Sequence, residues 1–185
     1  MLSMRTQLIV AAVGLSVVGA SLYWHSLELE TTFVPTSGGI YTEGIVGHPE
    51  TLNPLLASRN LVDRDLIQLL HAGLMRFDSS GLPVPDLAES WAVTADGMAY
   101  TFVLRSGLKW NDGVVLTMDD VILTIELMQD PEFPGPTELA EFWRLVTLAK
   151  LNETTLKIIL PEPYAPFLDC MTFGVLPAHV FSRIS

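Results

Sequence analysis

The sequence predicts an α/β fold with a mixed sheet, preceded by one apolar helix. Three observations predict it. Residues 6–27 carry no formal charge. Apolar residues recur at three- and four-residue steps over 60–75, the helical period. Turn signals at Asp96-Gly97 and Asn152-Glu153 each separate two β-rich segments.

The apolar run 6–27 would extend about 33 Å as a helix, close to the thickness of a bilayer's hydrocarbon. Arg5 precedes it, Glu28 and Glu30 follow it, and Tyr23 and Trp24 sit where interfacial aromatics belong. Two readings fit: a signal peptide cut after Val18-Gly19-Ala20, or an uncleaved anchor. Continuation of the apolar run through Leu22-Tyr23-Trp24 favours the anchor. Both place the chain after about residue 30 outside the cytoplasm. No cysteine lies directly after the run, so lipid attachment there is not expected.

A linker at 30–38 leads into residues 40–46, whose β-branched and aromatic content predicts a strand. Pro54 bends the chain at Leu52-Asn53-Pro54. The helix predicted over 60–75 presents Val62, Leu66, Leu69, Leu70 and Leu74 on one side, with Asn60 or Asp63 as its cap. A turn at 77–81 precedes a short helical turn at 85–91, where Pro85 stands near the first position. Residues 92–105 form a hairpin around Asp96-Gly97, with Met98, Tyr100, Phe102 and Leu104 facing the core. Trp110-Asn111-Asp112-Gly113 is a second turn. Thr117 caps the next helix, Asp120 takes the third position of a capping box, and the helix runs to Gln129. A proline-rich stretch, 131–136, ends it. A short helix at 138–143, strands at 145–151 and 155–160, and a helical segment at 165–171 complete the list.

Composition narrows function. Of 185 residues, 21 are acidic and 10 basic, for a net charge of −11. Such a surface repels phosphate backbones and disfavours nucleic acid. Cys170 is the single cysteine and forms no internal disulfide; a small buried apolar side chain between Leu168 and Phe173 suits it better than a nucleophile's role. His25, His48, His71 and His179 show no metal-ligand spacing, and no metal or other cofactor is expected. No nucleophile elbow, zinc-protease motif or phosphate-binding loop is present, so no enzymatic activity is expected. Asp119-Asp120 looks like a catalytic pair, but adjacent helical residues do not face each other, and a helix N-terminus accounts for both. Asp112-Gly113 reads as a turn in which Asp112 bonds its own loop. Trp91 and Trp110 read as core residues.

The order and spacing of motifs carry a resemblance. They are Leu52-Asn53-Pro54, Asp86-Leu87-Ala88-Glu89-Ser90-Trp91, Asp96-Gly97, Tyr100-Thr101-Phe102, Leu104-Arg105, Gly107, Trp110-Asn111-Asp112-Gly113, Thr117, Asp120-Val121 and Leu176-Pro177-Ala178-His179-Val180. In this the chain resembles the family-5 extracellular solute-binding proteins of ABC transporters, the oligopeptide, dipeptide and nickel binders. The resemblance implies a type II periplasmic-binding-protein-like fold of the large three-domain subclass, here incomplete. It implies an N-terminal segment at 1–29, the linker, a first segment of the large lobe at 39–72, a smaller α/β domain at 73–175, and a return into the large lobe at 176–185. It implies binding of a small peptide or other solute and delivery to ABC permease subunits. The loop after Leu-Asn-Pro lines the cleft in peptide-binding relatives, which makes Ser58, Arg59 and Asn60 the candidate ligand-binding residues. Arg59 suits a ligand carboxylate and equally suits a solvated surface position. Two alternatives stand beside this reading: an exported, non-catalytic interaction module left by truncation, and a binder of nickel or another solute within the same family.

Overall fold

The computed structural model describes residues 4–26, 38–40, 42–56 and 60–181. The chain divides into two compact units, 1–43 and 44–185.

In the first unit, helix α1 runs over Met4–Ser26. Its window Thr6–Tyr23 has a mean hydropathy of 1.7, long and apolar enough to cross a membrane by length and composition. Within the helix the Ser16 hydroxyl donates to the Ala12 carbonyl, 2.9 Å away, which satisfies it without an outside partner. The strand expected at 40–46 is absent among the described residues. Ile40 and Val46 are 98% and 99% exposed, and a strand without a paired neighbour has nowhere to direct its hydrogen bonds.

The second unit holds two sheets. The larger has the order β3-β4-β6-β5, made of Ala88–Val93, Ala99–Leu104, Thr155–Ile159 and Thr147–Asn152. The smaller pairs β1 (Met75–Phe77) with β2 (Pro83–Pro85). The α/β class stands, but every pair of described strands is antiparallel, so the parallel pairs of a mixed sheet are not among them. Tyr100, Phe102 and Leu104 of β4 and Leu156 and Ile158 of β6 are buried on one face. Helix α3 (Met118–Gln129) buries Met118, Val121, Ile125 and Met128 in the same core. Phe167, on the 3-10 helix Ala165–Thr172, lies at its centre with its ring near those of Tyr100, Phe102, Phe142 and Trp143.

Three local readings change. Helix α2 covers only Leu61–Leu70, and Met75 begins a strand. Gly73 explains the break: a Cβ there would meet the carbonyl oxygens of Phe173, Met171 and Met75 at 2.7, 2.9 and 2.9 Å, so the backbone of 171–173 passes too close for a side chain. Residues 85–91 are not a helical turn. They contribute β2 and the start of β3, where Trp91 stands opposite Phe102, because pairing with β4 overrides a weak local preference. Trp91 accordingly lies at the sheet edge, 36% exposed, rather than in the core. Helix α4 (Thr137–Arg144) and the hairpin around Asp96-Gly97 form where the sequence places them.

Candidate functional site

A cleft of about 690 Å³ in the second unit is lined by Glu50, Thr51, Leu56, Asn60, Asp63 and residues 134–138. Of the three candidate ligand-binding residues, Ser58 and Arg59 lie outside the described residues, and Asn60 stands at this cleft. The Asn60 side chain is largely committed to the fold. Its Oδ1 accepts the Val62 N–H at 2.9 Å, which caps α2, and its Nδ2 donates to the His48 carbonyl at 3.1 Å. Among the described residues, the charged side chains lining the cleft are Glu50, Asp63 and Glu138.

A second constellation gathers motif residues that lie far apart in sequence. The Asp112 carboxylate accepts the Val114 N–H at 3.0 Å with one oxygen and meets His179 Nε2 at 2.6 Å with the other. Gly113 holds φ at +88°, and the loop is closed by Gly113 N–H to Trp110 carbonyl at 2.9 Å and Trp110 N–H to Val114 carbonyl at 2.8 Å. The Val114 N–H, and after it His179, hold the Asp112 carboxyl below the usual aspartate range. Trp110 is half-buried against the core, with its ring 6.4 Å from that of His179. The reading of Asp112 as a loop-bonding turn residue is met, while the hydrogen bond with His179 had no local signal, since 67 positions separate them.

Helix α3 carries the third set. Thr117 and Asp120 form the capping box, with Thr117 N–H on Asp120 Oδ2 at 2.8 Å. Asp120 Oδ1 also accepts the Ala178 N–H at 2.7 Å, and the Thr124 hydroxyl oxygen accepts the Leu176 N–H at 2.9 Å. Asp119 instead faces solvent and meets Lys150 at 2.8 Å. The adjacent aspartates thus serve separate structural tasks and share no reacting centre. Cys170 is half-buried; burial, then the Asp169 charge, pushes its thiol up, away from the thiolate a nucleophile requires. His71 lies between the carbonyls of Leu52 (3.2 Å) and Val175 (3.4 Å). Among the described residues, no three His, Cys, Asp or Glu side chains gather where they would hold a metal ion.

The second unit is thus an antiparallel scaffold of mutually bonded motif residues beside this cleft. Residues 83–183 match the family described as "Bacterial extracellular solute-binding proteins, family 5 Middle", and the chain belongs to that family. It is 34% identical over 140 residues to a dipeptide-binding protein of Escherichia coli K12, covering 66% of this chain and 26% of that protein. A probable deoxycholate-binding periplasmic protein of the same strain is 32% identical over 120 residues, covering 65% of this chain and 22% of its own length. Among solved structures, NikZ from Campylobacter jejuni in complex with Ni(L-His) superposes with a TM-score of 0.65 at 32% identity, covering 74% of this chain and 27% of NikZ. The fold is that of the type II periplasmic binding proteins. The chain spans about a quarter of the length of the curated relatives it matches. The family is a solute-binding, non-catalytic component of transport.

Proposed function

We propose that this chain supplies part of the substrate-binding component of an ABC importer, which binds peptides outside the cytoplasmic membrane and hands them to permease subunits. The observation that carries the reading is the family match over 83–183, in a chain whose motif side chains are engaged with one another. A peptide is favoured because a dipeptide-binding protein of Escherichia coli K12 is 34% identical to this chain over 140 residues. The acidic surface argues against nucleic acid as a partner. In this reading residues 73–175 are the smaller domain, and 39–72 with 176–185 belong to the larger lobe. Ser58, Arg59 and Asn60 lie on the cleft loop and meet an extended ligand through main-chain groups, as in strand addition. Closure of two lobes around the ligand presents a closed surface to the permease. Helix α1 is an uncleaved anchor that keeps the protein at the outer face of the membrane; its length and hydropathy support this.

Calorimetry on the full-length gene product tests the function, with alanine di- to pentapeptides and nickel–histidine as separate arms. Heat with peptides supports the proposal; heat with nickel–histidine alone moves the solute to the other branch of the family. For the anchor, the N-terminus of the membrane-bound protein is sequenced. An intact N-terminus supports it, and a new one at Ser21 ends it.

A further inference from the structure

Helices α2 and α3 begin with the same pattern, a polar cap followed three residues later by aspartate: Asn60 with Asp63, and Thr117 with Asp120. At that position a carboxylate ordinarily reaches back to the N–H of its own cap residue, as Asp120 does. Asp63 does otherwise. It is 1% exposed, and its two oxygens accept the N–H groups of Glu50 at 2.8 Å and Thr51 at 3.1 Å, 13 and 12 residues earlier. A polar group buried to that degree is costly unless hydrogen-bonded, and these two bonds satisfy both carboxyl oxygens.

The contacts continue as a relay. The Thr51 hydroxyl accepts the Asn53 N–H at 3.1 Å, and the Asn53 side-chain oxygen accepts the Leu55 N–H at 3.0 Å. Leu55 ends the relay 5% exposed in the core. On the other side, Asn60 Nδ2 holds the His48 carbonyl. Gly47, at φ +130°, lets the backbone lie against α2, for a Cβ there would sit 2.9 Å from Val62 Cγ2. Glu50 and Thr51, fixed by these bonds, and Leu56, whose N–H donates to the Asn53 carbonyl at 3.0 Å, line the 690 Å³ cleft.

We propose that Asp63 is a positioning residue: through this relay it sets the path of residues 50–56, and so the shape of the cleft that receives the solute. This rests on the reading above that the protein binds a solute in that cleft. Asp63 touches no ligand in this scheme and acts through the main chain of Glu50 and Thr51.

The test uses the full-length gene product with Asp63→Ala, Asp63→Asn and, as a charge-matched control on the exposed side of α2, Asp65→Asn. Amide hydrogen exchange is followed first. In Asp63→Ala, the amides of Glu50, Thr51, Asn53 and Leu55 exchange at least about tenfold faster, the scale of a lost charge-assisted bond, while those of Phe102 and Ile158 in the sheet do not change. Asp63→Asn is intermediate, because one oxygen remains to accept and its Nδ2 confronts an N–H. Affinity for the alanine peptides then falls about tenfold in Asp63→Ala and stays constant in Asp65→Asn. Unchanged exchange at Glu50 and Thr51 overturns the relay. Faster exchange with unaltered affinity overturns the link to the cleft. A folded wild type that binds no peptide refutes the peptide assignment by itself, and the affinity comparison is then made with nickel–histidine. Binding of neither probe overturns both readings.

Discussion

Replacing Asp120 by alanine separates a structural role from a catalytic one at the adjacent aspartates. Asp120 is 3% exposed and takes two N–H groups, those of Thr117 at 2.8 Å and Ala178 at 2.7 Å. Truncation leaves both donors without a partner in a site that water does not reach. Each such loss costs about 1.5–2 kcal/mol, so the pair costs about 3–4 kcal/mol. That is a large share of the roughly 5–15 kcal/mol that holds a domain together, and corresponds to a fall in Tm of about 10 °C. Asp119→Ala removes only a solvent-facing contact with Lys150 and moves Tm by no more than about a fifth of that. Thr124→Val removes the acceptor for the Leu176 N–H, and because both residues hold the segment 176–178, the double variant loses less than the sum. Thermal and urea unfolding followed by circular dichroism measure all four proteins. Equal losses for Asp119→Ala and Asp120→Ala, or a loss below about 1 kcal/mol for Asp120→Ala, would refute the assignment.

Further outcomes follow from the same contacts. Phe167→Ala, at a site with no exposure and four neighbouring rings, costs about 3–5 kcal/mol and collapses the near-UV circular dichroism; a shift under about 1 kcal/mol in urea unfolding contradicts the packing described. Gly73→Ala forces a methyl against three carbonyl oxygens and destabilises by about 2 kcal/mol or more, read as a lowered urea midpoint; an unchanged midpoint rejects the close approach. Asp78, Asp96 and Asp112 all titrate below the ordinary aspartate value, chiefly through the Leu82 N–H, the Thr94 hydroxyl and the Val114 N–H respectively. A lowered folded value means that the unfolded chain binds protons first. Their stabilisation is therefore complete above about pH 4 and is lost as pH falls through the lower folded values. Replacing all three by asparagine should flatten the urea midpoint between about pH 2 and 4, and an unchanged acid slope contradicts this.

The sequence was most readable where a single turn or cap decides the structure. Asp96-Gly97 sets the β3–β4 hairpin, and the alternation of Tyr100, Phe102 and Leu104 states which face is buried. Thr117 with Asp120 sets the start of α3. Reading failed where a distant backbone decides. Ala88 to Trp91 have modest helical preference and become a strand because β4 is available to pair with them. Residues 71–75 continue the apolar period of α2, yet the chain leaves the helix where Gly73 meets the backbone of 171–173. The ties from Asp63 to Glu50 and Thr51, and from His179 to Asp112, have no periodic signature. At the candidate site, Asn60 was legible as a cap, but not that its side chain is also committed to the His48 carbonyl.

The relatives add a constraint on where solute selectivity resides. Proteins named for a dipeptide, for deoxycholate and for Ni(L-His) share sequence with this chain at 32–34% identity. A scaffold common to binders of such unlike solutes does not itself discriminate among them. In this chain the side chains that form that scaffold are engaged with one another: Asp112 with His179, Asp120 with Thr117 and Ala178, and Thr124 with Leu176. Under the proposed function, selectivity then falls to the cleft lined by Glu50, Thr51, Leu56, Asn60 and residues 134–138 and to parts of the protein outside this scaffold. Exchanging 86–120 for the matching stretch of the dipeptide-binding relative, within the full-length protein, should preserve the rank order of peptide affinities in calorimetry while leaving α3 anchored at Leu176 and Ala178. A reordered peptide preference after that exchange would place discrimination inside the scaffold and refute the division between framework and cleft.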